Sequence, residues 1–389
     1  MKSDITQIVV PFHVAATGEE EVQAVADVVR SGWLTMGPRT QEFEQSFAAA
    51  VGSRHAIAVS SCTAALHLAL EAIGIAAGDE VLVPTTTFTA TAEAVCYLGA
   101  TPVLCDVQRD ALNLDPADCA RRITPRTRAI IPVHFAGVPC DMEEVRELAW
   151  SYALPLIEDA AHAFPSSYRG SPIGAIGDIT AFSFYATKTL TTGEGGMVTT
   201  NNDQYADRMR LMRLHGIGRD AWKRYSSEGS WYYEVREAGF KYNLTDMQSA
   251  IGLVQLSRAQ ELLSARERIA RQYDEAFGTL NSLEIPTRYQ DRDSAHHLYV
   301  LRLNLEYLSI NRDQFIAELK QQGISASVHF IPLHLHPFYQ ERFSYKGGDF
   351  PVAETEYGRC LSLPLFPTMT PDQVAHVIDS VIRIAQENA

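Results

Sequence analysis

The chain has 389 residues, of which 46% are hydrophobic, and a formal net charge of −14 at pH 7. A chain of this length is too long for one ordinary compact core and predicts a large domain with a smaller one. The negative charge repels phosphate backbones and anionic lipid surfaces, and no run of Lys or Arg interrupts it. Nucleic acid and membranes are therefore excluded as expected partners, whereas a small anionic ligand at a local site is not.

The cysteines stand singly, without a C-x-x-C pair, which argues against a zinc ribbon, a redox dithiol and a disulfide framework. They are Cys62, Cys96, Cys105, Cys119, Cys140 and Cys360. The N-terminal stretch lacks a basic end followed by a long apolar run, and no later segment is apolar for the ~18 residues of a membrane span. A reduced, cytoplasmic protein is expected.

Short β-rich runs alternate with amphipathic helical stretches from about Arg54 onward, a pattern typical of βαβ units around a mostly parallel sheet. The predicted strands are residues 56–60, 80–84, 101–107, 128–135, 155–160, 179–184 and 195–200. The last two lie close together without a full helix between them, and such a departure from local regularity often marks a site.

The second half of the chain opens with a polar, aromatic-rich loop, residues 215–244, whose length predicts a functional or disordered segment. A long helix over 245–280 then links the large domain, residues 1–260, to a small α+β domain, residues 261–389. In that domain we predict a strand at 297–303, a helix at 312–322 and a last helix after Thr370.

Two strand ends offer anion-binding and cation-binding groups. In SSCTAALHLAL a strand ends in small hydroxyl residues and a helix begins at once, so its free N–H groups and Thr63 could bind a phosphate, although a plain helix cap fits as well. In LIEDAAHAF, Asp159 follows a strand and would keep a pyridine nitrogen protonated, or would merely cap the next turn. His162 alone is more often structural.

One lysine lies among small and apolar residues. In AFSFYATKTLTTGEGGMVTT, Lys188 follows Ser183 and precedes a glycine-rich turn. Desolvation lowers the pKa of such an amine, and the neutral amine attacks an aldehyde; an exposed loop lysine is the alternative. Phe88, after another strand, could stack on a planar ring or belong to the core. Along the chain the four features are the turn at Thr63, then Phe88, then Asp159 with His162, and last Ser183 with Lys188. Their occurrence in this order favours pyridoxal-phosphate chemistry.

At this point the chain resembles the DegT-type sugar aminotransferases, which are fold type I pyridoxal-phosphate enzymes. The resembling stretches are SGWLTMGPRTQEFE, SSCTAALHLAL, GDEVLVPTTTFTATAEAV, IEDAAHAF, FSFYATKT, EGGMVTT, GFKYNLTDMQSAIGLVQL and LSLPLFPTMT. Within this family the chain is similar to enzymes that form UDP-4-amino-4-deoxy-L-arabinose and to related enzymes of other 4-amino sugars. The resemblance implies an α/β fold with a mostly parallel seven-stranded sheet in the large domain.

The family pattern, carried over at matching positions, implies that Lys188 bonds the cofactor and moves protons during transamination. Asp159 would pair with the ring nitrogen, Phe88 would stack on the ring, and His162 would lie beside it. The phosphate would be held by Cys62, Thr63, Ser183 and the partner subunit's Asn243. Tyr185 and His329 are expected near the substrate.

The resemblance also implies pyridoxal 5'-phosphate, with pyridoxamine 5'-phosphate formed in the half reaction, as cofactor. Its implied partners are a nucleotide-linked keto sugar, glutamate as amino donor, and a second copy of the chain in a homodimer with shared sites. Five arginines near the long loop could bind the nucleotide or form a solvated surface: Arg208, Arg210, Arg213, Arg219 and Arg224.

Three other interpretations compete. A sugar dehydratase on the same scaffold would carry His in place of Lys188, so the lysine argues against it. A sugar-sensing protein without turnover would not bond the cofactor. A metal site at His329, His334 and His336 is not expected, because no carboxylate or thiol completes the ligand set, although His334 and His336 would share one face of a strand.

Overall fold

The computed structural model of the protein describes residues 8–217 and 232–389. Its strands are β1 His55–Val59, β2 Glu80–Pro84, β3 Thr101–Cys105, β4 Thr127–Ile130, β5 Ile157–Asp159, β6 Ser167–Tyr168, β7 Ser171–Pro172, β8 Ile179–Ser183, β9 Gly196–Thr200, β10 Leu283–Glu284, β11 Arg292–Asp293, β12 Tyr299–Leu303 and β13 Cys360–Leu363. Its α-helices are α1 Glu19–Ser31, α2 Pro38–Val51, α3 Cys62–Ala72, α4 Ala90–Tyr97, α5 Pro116–Arg122, α6 Met142–Ser151, α7 Asp203–Met212, α8 Asp246–Ser257, α9 Ala259–Phe277, α10 Arg312–Gln321, α11 Pro337–Phe343, α12 Pro351–Arg359 and α13 Pro371–Glu387.

A mostly parallel sheet forms the centre of the molecule. A four-stranded sheet in the order β1-β9-β8-β5 and a three-stranded sheet in the order β3-β2-β4 join where parallel bridges pair Ile130 with Leu156 and Val133 with Asp159. Within the described residues the joined sheet has seven strands, and β9 alone runs antiparallel to its neighbours. This confirms the predicted α/β fold and the departure from alternation at β8 and β9.

The strands of this sheet are apolar on both faces because helices cover both faces. In β2, Val81 and Val83 belong to one buried cluster with α3 and α4, and Leu82 belongs to a second cluster with α2 and α6. Successive side chains of a strand point to opposite faces, so one short run of hydrophobic residues supplies two cores.

A third core lies in the C-terminal part of the chain. It packs α9, α10 and α13 against the antiparallel sheet β10-β12-β13 and includes Tyr273, Phe277 and Tyr299. Val10 belongs to this core too, because it pairs with Ile324. The N-terminal segment therefore contacts the C-terminal core, and the domain division at residue 260 stays a prediction.

Two predicted elements of the second half differ in detail. The long helix is divided at Arg258, whose φ of −98° and ψ of 3° separate α8 from α9, although neither Gly nor Pro marks the break. The strand predicted from His297 begins at Tyr299 instead. The backbone N–H groups of His297 and Leu298 donate to the carbonyl of Ala136, so these residues are tied to the large domain rather than to the small sheet.

Helix α2 begins where a distant aspartate supplies its cap. The Asp246 carboxylate accepts hydrogen bonds from the backbone N–H groups of Gly37 at 2.7 Å, Thr40 at 3.0 Å and Arg39 at 3.2 Å, and from the Thr40 hydroxyl at 2.8 Å. Asp246 is itself the first residue of α8. One buried carboxylate thus joins the starts of two helices and satisfies N–H groups that lack a partner within α2.

Within residues 8–217 and 232–389, no helix combines the length and the apolar character that a membrane crossing requires.

Candidate active site

The ends of several strands meet at one edge of the central sheet. Asp159 ends β5, and Ser183 ends β8. Gly196, the first residue of the antiparallel β9, is paired with both Ser183 and Val59, the last residue of β1. The loop that carries Lys188 therefore leaves and re-enters the sheet at the edge where ligands bind in open α/β folds.

The turn predicted to bind the phosphate follows β1. Ser61 caps α3 by accepting a hydrogen bond from the N–H of Ala64 at 3.1 Å, so the plain-cap interpretation is correct for Ser61. Cys62 and Thr63 then form the first positions of the helix, where N–H groups and the helix dipole favour an anion. A Cβ on Gly196 would lie 2.6 Å from the carbonyl carbon of Ser61, so only glycine allows β9 to approach this turn.

Lys188 lies half-buried in the loop between β8 and β9. Burial lowers the pKa of its amine to about 8, while Cys62 and Asp159 act in the opposite direction. Lys188, Cys62 and Asp159 are therefore close enough to influence one another electrostatically. Near neutral pH a useful fraction of such an amine is uncharged and can attack an aldehyde.

Asp159 is a buried carboxylate with two hydrogen-bond donors. The Thr91 hydroxyl donates to Oδ2 at 2.8 Å, and the N–H of Ala161 donates to Oδ1 at 3.1 Å. Burial raises the pKa of Asp159, and these two hydrogen bonds and the charge of Lys188 oppose the rise. A buried carboxylate is stabilised by a cationic partner, and the protonated ring nitrogen of pyridoxal phosphate would be such a partner. Asp159 with its two hydrogen-bond donors therefore fits this cofactor.

Three histidines lie near the lysine, of which His162 and His297 are buried and His329 is partly buried. The rings of His162 and His297 lie 4.3 Å apart, and His329 is bonded through Nδ1 to the Ser362 hydroxyl at 2.9 Å. Burial and the charge of Lys188 hold the pKa of His162 and His297 well below the usual range and that of His329 at about 4. The cluster is therefore neutral at physiological pH and does not repel a protonated lysine.

His162 has a defined tautomer. Its Nδ1 accepts a hydrogen bond from the N–H of Ala136 at 3.3 Å, so the ring proton is on Nε2. The Nε2–H group of His162 is then available to donate a hydrogen bond to a group beside the imidazole ring. The structure thus brings His162 to Lys188, and its place beside the cofactor ring stays a prediction.

Phe88 does not belong to the core, because 59% of its surface is exposed. Its ring lies 6.0 Å from that of Phe330, which in turn lies 5.8 Å from His162 in a stacked arrangement. An exposed aromatic at the carboxyl end of β2 is unusual unless something covers it. The stacking role predicted for Phe88 is consistent with this exposure and stays a prediction.

Two histidines near the site, His297 and His13, lie in no sequence motif that would have predicted their position. His297 lies far along the chain from the pyridoxal motifs and is brought to Lys188 by the fold; its buried Nδ1 has no partner among the described residues. His13, from the N-terminal segment, is bonded through Nε2 to the carbonyl of Ala186 at 3.2 Å. Only an alignment of many relatives would have indicated either residue, since histidines in such contexts are usually structural.

Comparison with known proteins identifies the family. The profile of the DegT/DnrJ/EryC1/StrS aminotransferase family matches residues 15–382. The chain belongs to this family. It is accordingly a pyridoxal-phosphate-dependent sugar aminotransferase of fold type I, and pyridoxal 5'-phosphate is its cofactor, as the resemblance predicted.

Individual members of the DegT/DnrJ/EryC1/StrS family cover almost the whole chain. The spore coat polysaccharide biosynthesis protein SpsC of Bacillus subtilis is 49% identical over 372 residues, covering 95% of this chain and 96% of that protein. Spr1654 of Streptococcus pneumoniae, solved in its PLP form, has a TM-score of 0.90 and 32% identity, covering 98% and 99%. Helicobacter pylori PseC, an aminotransferase involved in the biosynthesis of pseudoaminic acid, has a TM-score of 0.91 and 28% identity, covering 98% and 100%.

The remaining residues predicted for this aminotransferase lie at the rim. Tyr185 is 47% exposed on the Lys188 loop. Asn243 pairs with Val59 at the end of β1 and accepts a hydrogen bond from Lys241 at 2.5 Å. In one protomer Asn243 is thus next to its own phosphate turn, and its reach to a partner's phosphate stays a prediction.

The arginines near the long loop are engaged in ion pairs where the structure describes them. Arg208 binds Glu71 and Glu237, and Arg213 binds Glu44 and donates to the carbonyl of Ala58 at 2.9 Å. Arg210 contacts Asp207 and the ring of His55. Arg219 and Arg224 lie outside the described residues. The part of the cluster that can be described therefore has a structural role, and it does not support a nucleotide site.

The histidines of HFIPLHLH have separate partners. His334 lies in a short 3-10 helix, Leu333–Leu335, rather than in the strand that its spacing suggested. Its ring bonds the Thr85 hydroxyl at 2.7 Å and Glu354 at 3.0 Å, whereas His329 bonds Ser362. Among residues 8–217 and 232–389, no three His, Cys, Asp or Glu side chains are grouped as metal ligands would be.

Proposed function

We propose that this aminotransferase transfers the amino group of glutamate to the 4-keto group of a UDP- or dTDP-linked sugar, in the biosynthesis of an amino sugar. The observation that carries the proposal is the half-buried Lys188 amine, with a pKa of about 8, beside the buried Asp159 carboxylate. The names of SpsC and PseC, both biosynthetic proteins, support a biosynthetic role. The nucleotide and the glutamate donor rest on the motif resemblance.

The residues divide the work in a way that suits transamination. Bound pyridoxal phosphate supplies an aldehyde that the lysine can bond and a ring that accepts electrons. Lys188 would bond that aldehyde, and as a free amine it would move a proton between the two carbon atoms on either side of the transferred nitrogen. Asp159 keeps the ring nitrogen protonated, and Cys62, Thr63 and Ser183 would hold the phosphate against the start of α3.

A substrate panel tests the proposal. Purified protein is incubated with glutamate and with UDP- or dTDP-linked 4-keto and 3-keto sugars, while 2-oxoglutarate and the amino sugar are measured. We expect 2-oxoglutarate with a 4-keto sugar, and no turnover by Lys188→Ala. The matched control is Lys320→Ala, an exposed lysine in the last turn of α10, whose effect should be small.

Other outcomes would overturn specific parts of the proposal. Consumption of the keto sugar without 2-oxoglutarate would indicate dehydration instead of amine transfer. Amination of 3-keto sugars alone would move the reaction to the neighbouring carbon. Retention of the cofactor by Lys188→Ala through a covalent bond to another lysine would remove the central assignment.

A further inference from the structure

A chain of buried hydroxyl groups leads to Asp159. The Thr91 hydroxyl lies 2.8 Å from Asp159 Oδ2, and the Thr87 hydroxyl lies 2.8 Å from that of Thr91. Thr91 is completely buried and Thr87 almost so. Thr91 belongs to the first turn of α4, and Thr87 lies in the turn after β2.

The direction of these hydrogen bonds follows from the Asp159 carboxylate, which is the final acceptor. An ionised carboxylate can only accept hydrogen bonds, so Thr91 must donate its one hydroxyl proton to Asp159. Thr91 can then only accept from Thr87, which donates. The chain therefore runs from Thr87 through Thr91 to Asp159, and it exists in this form only while the carboxylate is ionised.

The ionised state of Asp159 needs this support because the residue is buried. Its two donors are the Thr91 hydroxyl and the N–H of Ala161, and Thr91 is the larger of the influences that oppose the burial effect on the pKa of Asp159. A hydrogen bond to a charged group contributes more than one between neutral groups. Loss of Thr91 would remove half of the donors to this carboxylate.

The same chain of hydroxyl groups holds the turn that carries Phe88, the residue predicted to stack on the cofactor ring. Thr87 immediately precedes Phe88, and its hydroxyl ties the turn to α4. Two groups predicted to contact the cofactor ring, Phe88 at its face and Asp159 at its nitrogen, are thus connected through Thr87 and Thr91.

We propose that Thr91, supported by Thr87, is a positioning residue that keeps the Asp159 carboxylate ionised and directed at the ring nitrogen of the cofactor. This inference rests on the proposed role of Asp159. A carboxylate deprived of the Thr91 hydrogen bond takes up a proton more readily, so the ring nitrogen loses its proton to the carboxyl group.

The test follows the protonation of the ring nitrogen directly. Holoenzyme is prepared with ¹⁵N-labelled pyridoxal phosphate, and the ¹⁵N chemical shift is measured at neutral pH. We expect a protonated nitrogen in the wild type and in Thr91→Ser, and an unprotonated one in Thr91→Val. Turnover of Thr91→Val should fall about ten- to a hundred-fold with the KM for the sugar unchanged, as expected for the loss of one hydrogen bond to a charged group.

The controls separate this role from folding and from the function itself. Thr199→Val removes another buried hydroxyl, which donates to the carbonyl of Gly174, and should leave the nitrogen protonated. If Thr91→Val does not fold, Thr87→Val is used, and the same change in smaller degree is expected. A wild-type shift in the Thr91 or Thr87 variant overturns the inference alone. An unprotonated nitrogen in the wild type overturns the role of Asp159 and this inference with it, whereas the proposed amine transfer is overturned only by the substrate panel.

Discussion

Burial controls the charge of the residues around Lys188. It lowers the pKa of the lysine and of the three neighbouring histidines, and it raises the pKa of Asp159. These shifts favour the uncharged forms, and the three histidines are neutral as a result. Lys188, with a pKa of about 8, is still mostly protonated at pH 7, and the hydrogen bonds to Asp159 favour its ionised form. The phosphate and the ring nitrogen of the cofactor then provide the charges that the N-terminus of α3 and Asp159 are suited to meet.

The pH dependence of cofactor attachment should report the lysine. Below its pKa of about 8 the Lys188 amine is protonated and cannot attack, and above that pH it is neutral. We expect the rate of covalent attachment of pyridoxal phosphate to the apoenzyme to rise about tenfold per pH unit up to pH 8 and then to level off. Stopped-flow absorbance between pH 6 and 9.5 measures this rate. A rate that still rises tenfold per pH unit between pH 8.5 and 9.5 would show that burial does not lower the pKa of this amine.

Among single residues, those that lie within sequence motifs could be predicted from the sequence. Lys188 and Asp159 were identifiable because each follows an apolar strand and is framed by small residues. His297 and Thr91 could not be identified in this way. His297 approaches the site only through the packing of the C-terminal part of the chain, and Thr91 looks like an ordinary residue at the start of a helix. Side-chain contacts between distant segments decide both, and a single sequence does not contain them.

Between elements, the link from Asp246 to the start of α2 connects two of the motifs on which the family resemblance depends. SGWLTMGPRTQEFE contains the N-terminus of α2, and GFKYNLTDMQSAIG contains the aspartate that caps it. The sequence showed both motifs but not that one completes the other. The break at Arg258 was missed for a related reason, because backbone geometry there changes without the residues that usually announce it.

Removal of the Asp246 cap should destabilise the fold. Asp246→Ala leaves two buried N–H groups, one partly buried N–H group and a buried hydroxyl without their acceptor, which should lower the free energy of unfolding by about 2–3 kcal/mol. Urea denaturation of the apoenzyme measures the change. Asp203→Ala is the matched control, because Asp203 also begins a helix but is exposed, with Arg54 and His55 as partners. A loss below about 1 kcal/mol, the range of exposed ion pairs, would show that the cap is dispensable.

For the whole molecule, the sequence predicted the α/β class and the central sheet well. Alternating apolar runs determine strand positions, and the family resemblance supplied the number of strands. It did not predict that Val10 of the N-terminal segment would pack in the C-terminal core, because a short apolar stretch carries no information about which core receives it. The relative placement of distant segments needs the three-dimensional structure.

The homodimer with shared active sites is a proposal, and it predicts complementation between two defective variants. Lys188→Ala and Asn243→Ala should each have low activity alone, since one lacks the amine and the other lacks the phosphate contact offered to its partner. A hybrid dimer would contain one site with Lys188 from one subunit and Asn243 from the partner subunit. Mixed unfolding and refolding should then restore about a quarter of the wild-type activity, because half of the dimers are hybrids with one intact site.

The control for this experiment mixes each variant with itself. Activity that stays at the level of the separate variants after refolding, while size-exclusion chromatography shows dimers, would place the Asn243 contact within its own subunit. That outcome would agree with the position of Asn243 beside Val59 in one protomer.

The reactive loop begins and ends on the same pair of strands. β8 and β9 pair at Ser183 and Gly196, so both ends of the loop are fixed at adjacent positions of one sheet. Within the loop, the Thr189 hydroxyl donates to the carbonyl of Phe164, and the carbonyls of Ala186 and Glu194 accept hydrogen bonds from His13 and Gln248. A loop grafted from a relative would therefore join the two strands without changing their path, but it would have to keep these contacts to hold its lysine in position.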